Sequence, residues 1–342
     1  PTLPDYPNIL SSVPAVGGVS DIVFFQDGMQ NPLIHQADAI YERQIGKNTV
    51  VSVSGLLSIG RYLPTFVDTN LNFPAATTTF TINGGPFGGQ TLTAPRFTGA
   101  RPNTNFGRMT QVQSTISSEY YGLVLQANRR LTDGIQFQTS YTFSKAKDNG
   151  QNSTTFSQGN SPLNPFDLDD ERGTSNFDVP HRFVASLVYS PNTLFGVGRN
   201  SSLGRAIFGG WTISPIVTAQ SGFAFTATTS GNVSGGTSTG PLGAGGSSRL
   251  PFVAPNTFRA PNIFNVDLRI SRRIRFTETM NLELLAEGFN IFNRFHATGV
   301  NTRQYIVSGT TLNFDSGFGL PTAAGNSIFR ERQVQLAARF QF

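Results

Sequence analysis

The feature that most restricts the fold of this sequence is the alternation of two lengths of connection between its strand-like segments. Short polar turns occur at GKN (46–48), TDG (132–134) and TET (277–279). Long polar or glycine-rich connections occur at about 62–115, 148–178, 222–261 and 293–326. A compact soluble domain rarely contains even one structureless loop of this length. Short periplasmic turns and long outside loops are instead typical of an outer-membrane β-barrel.

The segments between these connections have the period-two alternation of strands with one apolar and one polar face. The last segment, VQLAARFQF, has apolar side chains at Val334, Leu336, Ala338, Phe340 and Phe342. We predict that these even-numbered residues face lipid and that Gln335 and Arg339 face inward. If the intermediate connection at about 191–206 belongs on the short-turn side, the alternation predicts nine strands from residue 33 to the C-terminus.

One tight hairpin is predicted in particular detail. Asp133-Gly134 separates two alternating segments, and Asp-Gly is a strong signal for a two-residue hairpin turn. We therefore predict that residues 135–146 pair antiparallel with residues 118–131.

The composition agrees with an all-β fold in a membrane. Charged residues make up 13% of the chain, against a usual share of about 25%. No run of about 18 apolar residues is present, so the sequence predicts no transmembrane helix, but barrel strands need only alternating segments of about ten residues. The net charge of +5 comes from scattered arginines, which argues against a nucleic-acid partner. A soluble β-sandwich with an aromatic core is the alternative fold.

Several stretches are similar to one family of bacterial proteins. They include SEYYGLVLQANRRLTDGIQFQTSYTFSKAKDN, NPFDLDDERGTSNFDVPHRFVASLVYSP and FNVDLRISRRIRFTETMNLELLAEGFNIFNRFHATGVN. These stretches resemble the C-terminal barrel of TonB-dependent outer-membrane receptors. The closest resemblance is to the Oar-like branch, whose members carry a carboxypeptidase-regulatory-like domain at the N-terminus. The resemblance covers most of residues 33–342.

The resemblance implies a receptor of the bacterial cell outer membrane that moves a bulky substrate, driven through TonB. Such receptors carry a signal peptide, a coupling segment and a plug domain before the barrel, and this sequence shows none of them. Transporters of this type have about 22 strands. We therefore predict the C-terminal portion of a barrel, about 9–10 antiparallel strands, in residues 33–342. Residues 1–32 form an N-terminal segment with a candidate extra strand at about 20–28.

Two further functional expectations follow from the sequence. A surface structural or adhesive barrel without transport is the alternative function. An enzyme is not predicted, because no nucleophile, base and orienting group converge in the sequence. Phe340 and Phe342 resemble the C-terminal signal that the barrel-assembly machinery recognises, and the last strand would then pair with the first to close the barrel.

An acidic cluster at Asp167, Asp169, Asp170 and Glu171 is the best candidate metal site. Oxygen ligands at this density suit a hard cation such as calcium. The spacing differs from that of an EF-hand loop, and Arg172 would compete for the carboxylates. The alternative is a salt-bridged anchor for the loop. No other cofactor is predicted.

Further charged residues are predicted to have roles inside the barrel and at its loops. Those expected on the inward face are Arg269, Arg273, Arg275, Glu283, Glu287, Arg332 and Arg339. They would pair across neighbouring strands or dock the plug of a full receptor. Asp178, His181 and Arg182 are predicted to anchor a loop base through charged hydrogen bonds.

An unknown extracellular ligand is expected to bind in the long loops, because lipid and ladder partners leave the strand residues little freedom. The loops around 62–115, 222–261 and 293–326 are the predicted contact regions. We expect Phe87, Phe97 and Phe225 to be exposed there.

Overall fold

The computed structural model describes residues 19–97, 100–150, 162–198, 200–234, 248–325 and 329–342. The strands are β1 (Ser20–Phe25), β2 (Leu33–Ile45), β3 (Thr49–Asp68), β4 (Ala76–Asn83), β5 (Thr91–Arg96), β6 (Phe106–Thr132), β7 (Ile135–Asp148), β8 (Gly173–Thr174), β9 (His181–Tyr189), β10 (Trp211–Gln220), β11 (Ala224–Phe225), β12 (Thr228–Thr229), β13 (Phe258–Arg259), β14 (Ile263–Arg275), β15 (Asn281–Phe289), β16 (Ala297–Val300), β17 (Arg303–Ser308), β18 (Thr311–Phe314), β19 (Pro321–Ala324) and β20 (Gln333–Gln341). The helical elements are α1 (Ser202–Phe208) and single 3-10 turns at Leu168–Glu171 and Leu194–Gly196. Within the described ranges, no helix is long and apolar enough to cross a membrane.

Nine strands form one antiparallel meander, which we call the wall. Their order is β2-β3-β6-β7-β9-β10-β14-β15-β20, so each strand pairs with the next wall strand along the chain. The predicted nine strands are confirmed. The connection between β9 and β10, which contains α1, falls on the same side as the short turns.

The wall has one apolar and one polar face, as its alternating sequence requires. In the final pair of strands, Leu282 lies opposite Phe340 and Ala286 lies opposite Leu336. Leu336 is 79% exposed, as expected of a side chain that meets lipid. Gln335 lies on the other face, opposite Glu287. Gln335 and Leu336 therefore lie on opposite faces of β20, as the alternating pattern predicts.

The hairpin between β6 and β7 also forms as predicted. Thr132 pairs with Ile135, and the two residues between them both have a left-handed backbone, with φ of 53° at Asp133 and 75° at Gly134. This conformation matches the twist of the flanking strands. A Cβ atom at Gly134 would lie 2.6 Å from the carbonyl oxygen of Ser190, so the position requires glycine.

Two wall strands are much longer than a membrane crossing needs. β3 has 20 residues and β6 has 27, whereas a barrel strand crosses with about 9–11 residues. They pair as far as Asp68 and Thr110. The predicted loop at 62–115 is therefore wrong at both ends, because β3 and β6 continue beyond the membrane and the true connection is 69–105.

The four long connections are not structureless. We call residues 69–105, 149–180, 221–262 and 290–332 together the cap. Three of these connections supply a five-stranded sheet with the order β12-β17-β18-β4-β5. This sheet has a hydrophobic core of its own, made of Phe80, Ile82, Leu92, Ala94, Ala227, Val233, Leu250, Val253, Tyr305 and Leu312. Two smaller pairs, β11 with β13 and β16 with β19, also lie in the cap.

The candidate extra strand near residues 20–28 exists but does not extend the wall. β1 pairs parallel with residues 106–112 of β6, in the part of β6 that continues into the cap side. It therefore does not lie beside β2 as a tenth antiparallel strand of the wall.

Candidate functional site: the cap and the polar face of the wall

Charged side chains form two cross-strand rows on the polar face of β14, β15 and β20. In the first row, Arg269 lies opposite Glu287 with 3.2 Å between Nε and Oε1. Gln335 of β20 donates from Nε2 to the other carboxylate oxygen of Glu287. Glu287 therefore has a partner on each neighbouring strand, and the row is fixed in place.

The second row lies closer to the short turns. Arg273 is opposite Glu283, with 3.8 Å between Nη2 and Oε2, and Glu283 is opposite Arg339. Arg275 ends the same face opposite Asn281. We call the two rows, together with Arg275, the polar ladder. The side chains of Arg269 and Arg273 are each 50% exposed, so both keep donor groups free to meet another surface.

One residue predicted for this face lies elsewhere. Arg332 precedes β20, in the connection, where its backbone N–H donates to Oδ1 of Asn293 (3.1 Å). β20 begins only at Gln333, and an alternation continued to Arg332 would place it with Val334 on the apolar face, so the pattern gives no support for an inward position.

A buried ion pair joins two connections of the cap. Arg249 is 1% exposed, and its Nη2 lies 2.9 Å from Oε1 of Glu171. The same guanidinium donates to the carbonyl oxygens of Asp170 (2.8 Å) and Val253 (2.9 Å). Glu171 also accepts from the backbone N–H of Leu163 (2.7 Å). A buried pair with this many hydrogen bonds holds its surroundings in one arrangement.

The acidic cluster does not come together as a cation site. Asp167 caps the 3-10 turn by accepting from the N–H of Asp169 (3.0 Å), and Glu171 points to Arg249. Among the residues described, no group of three or more His, Cys, Asp or Glu side chains could hold a metal ion. Arg172 lies 3.5 Å from Glu119 on the wall rather than among its acidic neighbours. The geometry is that of a loop anchor.

The predicted loop base is anchored by a different arginine. Asp178 is buried and accepts from the N–H of Ala146 (2.5 Å). Its ion-pair partner is Arg259, which also donates to the carbonyl oxygen of Gly222 (3.2 Å). Arg182 instead lies in β9 opposite Thr142. Arg182 therefore does not take part in the predicted anchor, because strand pairing places it in the wall.

His181 lies at the start of β9, opposite Phe143 in β7. Its Nδ1 is 2.8 Å from the hydroxyl oxygen of Tyr141, and its ring lies against that of Phe143 with centroids 5.2 Å apart. The histidine therefore contacts aromatic side chains of the apolar face rather than the charged anchor.

Asn256 is a third anchor, which sequence reasoning missed. It has a positive φ of 54°, and its Nδ2 donates to the carbonyl oxygen of Thr174 (2.8 Å) and to Oδ1 of Asn176 (2.6 Å). Arg249, Arg259 and Asn256 all tie connection 221–262 to connection 149–180. Their partners are about 80 positions away, so no local pattern could have indicated them.

The aromatic residues predicted to be exposed are packed instead. Phe97 is 5% and Phe225 is 7% exposed, and Phe225 lies against Phe258 and Phe318. Phe87 makes an edge contact with Phe252 at 4.8 Å between centroids. Phe87 packs against the core of the five-stranded sheet, and Phe225 belongs to a second buried cluster with Ala260 and Val300. The aromatic residues that do remain exposed in the cap include Phe73, Phe177, Phe292 and Phe295.

Two cap residues have shifted pKa values. Burial raises the pKa of Tyr305 in β17. The hydrogen bond from Arg303 (2.7 Å) lowers the pKa of Asp315, and bonds from the N–H of Gly317 and the amide of Asn301 act in the same direction. Asp315 is therefore held ionised at the end of the β17–β18 hairpin.

The two faces of the wall and its turn pattern agree with the comparison with known families. The chain belongs to the family described as outer membrane beta barrel domain, which matches residues 2–335. The protein is accordingly an antiparallel barrel protein of the bacterial outer membrane. A comparison with curated proteins gives no match.

One solved structure supports the same fold. The chain is similar to the outer membrane transporter YddB from Escherichia coli, with 10% identity, a TM-score of 0.50 and coverage of 96% of this chain and 35% of that chain. It also matches the FrpB iron transporter from Neisseria meningitidis, with 14% identity, a TM-score of 0.43 and coverage of 95% and 32%. A third match is the ferripyoverdine receptor of the outer membrane of Pseudomonas aeruginosa, with 11% identity, a TM-score of 0.42 and coverage of 90% and 27%. The chain thus spans 35% of the length of YddB.

Proposed function

We propose that this chain forms the C-terminal portion of the barrel of a TonB-dependent receptor of the Oar-like branch, which moves a bulky substrate across the outer membrane. In this proposal residues 33–342 are the barrel portion and residues 1–32 precede it. The observation that carries the proposal is the wall itself, with one apolar face, one face of paired charges and a large folded cap at its long-loop end. The motifs quoted above and the fold shared with an outer membrane transporter support it.

The cap would capture the substrate. Its hydrophobic core, its buried ion pair of Arg249 with Glu171 and its partly exposed pair of Arg259 with the buried Asp178 make the connections one folded unit rather than separate loops. Preorganised surfaces bind with a smaller loss of conformational entropy than flexible loops do. The exposed aromatic rings of Phe73, Phe177 and Phe295 are the groups we assign to substrate contact.

The polar ladder would face the plug domain of the complete receptor. Arg269 and Arg273 are paired but half exposed, so each can donate to an acceptor on a second surface while keeping its carboxylate. Arg275 has only Asn281 opposite it in the ladder and would supply a further charge. Paired charges of this kind fix register and orientation more than they add affinity.

Barrel assembly would use the C-terminal residues. Phe342 is 94% exposed, and its ring lies 6.1 Å from that of Phe340, centroid to centroid. β20 pairs with β15 on one side, and within the described part of the chain β2 pairs only with β3. We assign recognition by the barrel-assembly machinery to the Phe340 and Phe342 pair, and barrel closure to the free edges of β2 and β20.

The decisive experiment uses the full-length protein and the purified periplasmic domain of TonB. We expect the full-length protein to bind that domain and to lose binding when the segment before the barrel is removed. Binding would be measured by surface plasmon resonance with the barrel held in detergent. A full-length protein that never binds the TonB domain would contradict the proposal and favour a structural or adhesive barrel.

A further inference from the structure

One arginine lies on the apolar face of the wall. Arg272 of β14 is opposite Trp211 in β10 and Leu284 in β15, in the same rows as the lipid-facing residues of β20. Its guanidinium carbon lies 5.2 Å from the centroid of the Trp211 ring. A charged side chain on a lipid-facing surface is costly unless it meets a partner. The strand pairing of the wall does not explain why an arginine occupies this position.

The guanidinium is held in place but is only partly satisfied. It donates to the carbonyl oxygen of Ala206, in the last turn of α1. Nε of Arg272 is buried and cannot reach an external group, whereas Nη1 makes no hydrogen bond to the residues that the structure describes. Trp211, which stacks on the guanidinium, donates from Nε1 to the carbonyl oxygen of Ile207 (3.0 Å). The helix and the tryptophan thus fix an arginine that still has donors to offer.

An apolar groove begins at this arginine and runs across the wall toward β20. It is lined on the apolar face by Trp211, Ile270, Leu284, Ala286, Leu336 and Ala338. The pairing places Ala338 opposite Leu284 and Ala286 opposite Leu336, so each alanine leaves room beside a leucine. The groove is open to the surface that meets lipid, where Leu336 is 79% exposed. Its lining suits a hydrocarbon chain.

The height of the arginine in the membrane matches a lipid headgroup. Arg272 lies three residues before the end of β14 and Trp211 is the first residue of β10, both at the short-turn end of the wall. Tryptophan is enriched at this level of the membrane, and arginine extends toward the headgroups from it. Beside them, α1 exposes Leu203 (72%) and Ile207 (48%), four positions apart on one side of the helix.

We propose that this surface is a binding site for a phospholipid of the inner leaflet of the outer membrane. One acyl chain lies in the groove, and Arg272 binds the phosphate. A guanidinium is suited to this task because its fork of donors matches phosphate oxygens. The site adjoins the established lipid-facing surface, and the proposal depends on the membrane location of the chain, not on the transport function.

The test is a titration of the full-length protein with phosphatidylglycerol, followed by native mass spectrometry to measure bound lipid. Arg272→Gln should weaken the tightest lipid binding by about tenfold, because it removes a charged hydrogen bond to phosphate. Arg182→Gln is the matched control, since it makes the same charge change on the polar face, opposite Thr142, and should leave binding unchanged. Ala338→Phe, which fills the groove and keeps the arginine, should also weaken binding.

Two probes separate the parts of the lipid. Dioleoylglycerol has the chains without the phosphate, and glycerophosphoglycerol has the headgroup without the chains; we expect both to bind more weakly than the phospholipid. Equal binding by Arg272→Gln and the unchanged protein, or by dioleoylglycerol and the phospholipid, would overturn the proposal. Equally tight binding of glycerophosphoglycerol would show a free phosphate site instead. If Arg272→Gln does not fold, Ala338→Phe decides alone, and full binding by that variant overturns the proposal.

Discussion

The wall and the cap differ in how their strands pair and in where their apolar side chains point. In the wall, every strand pairs with its neighbours along the chain, and apolar side chains such as Leu336 point outward. In the cap, strands of two to eight residues from three connections come together, and apolar side chains such as Leu312 point into a core that is fully buried. The wall is therefore stabilised by lipid and ladder hydrogen bonds, while the cap is stabilised by a hydrophobic core, as a soluble domain is, and by a buried ion pair.

The largest effect should come from deleting residues 230–247 in the full-length protein. This deletion removes Val233, which is 1% exposed in the cap core, and Ser234, whose carbonyl oxygen accepts from the N–H of Phe97 (2.8 Å); residues 235–247 lie outside the described part of the chain. We expect the cap to lose protease resistance and substrate binding. The wall should still assemble, as shown by the heat-dependent shift of a folded barrel on gel electrophoresis.

The deletion also tests whether this connection is only a folding element. If it blocked insertion into the outer membrane while the surviving protein bound substrate normally, the cap would serve assembly. The division between wall and cap would then be wrong.

The second test separates a buried ion pair from an exposed one. Arg249→Met leaves Glu171 buried without its partner, and breaking such a pair costs about 3–5 kcal/mol. Arg172→Met is the matched control, because its side chain is 57% exposed beside Glu119 and an exposed pair contributes roughly 0–1 kcal/mol. Limited proteolysis on whole cells should show a loosened cap in the first variant only. Similar cleavage of both variants would contradict the assigned anchor.

A smaller difference in stability is expected between substitutions of two leucines, one in the cap core and one on the apolar face of the wall. Leu312→Ala opens a cavity in the cap core at a cost of about 2–5 kcal/mol, whereas Leu336→Ala exchanges one lipid-exposed apolar side chain for another. Urea titration of protease resistance would report the first change, and thermal loss of the gel shift would report the second. A larger loss from Leu336→Ala than from Leu312→Ala would show that the wall contains the main core.

The smallest effect concerns pH. The lowered pKa of Asp315 means that its ionised form stabilises the cap. This contribution is complete above the pKa of an unfolded aspartate, about 3.9, and is lost as the pH falls through the lower pKa of the folded state. Asp315→Asn should therefore flatten the acid end of the pH dependence of cap proteolysis. An unchanged profile in this variant would show that other groups set the acid sensitivity.

The sequence predicts the wall well, because each wall residue has one of two environments that alternate along the strand. The parity of Leu336 and Gln335 and the turn at Asp133-Gly134 could be predicted for this reason. The strand ends were harder to predict. β3 and β6 continue past the membrane into the cap side, where polar residues such as Thr65 and Thr110 are buried. The alternating pattern therefore does not show where each strand ends.

The cap could not be predicted in the same way. Phe97 and Phe225 look like exposed loop aromatics, since the strands near them are too short to show a period. The acidic cluster looks like an ion site because the partner of Glu171 is 78 positions away. The pairing of Asp178 with Arg259 could not be predicted for the same reason, because the two residues are 81 positions apart in the sequence. Contacts between distant segments leave no trace in a local pattern.

The pairing of β4 with β18 has a consequence for the time course of folding. Thr81, Ile82 and Asn83 lie beside Thr311, Leu312 and Asn313 in a parallel ladder, and the two asparagines are 230 positions apart. Hairpins of the wall close over short separations, whereas contacts at such a separation form slowly. The cap sheet can be completed only after connections 69–105 and 290–332 have both crossed to the outer side. We therefore expect the cap to mature last, at the cell surface, on a barrel that is already inserted.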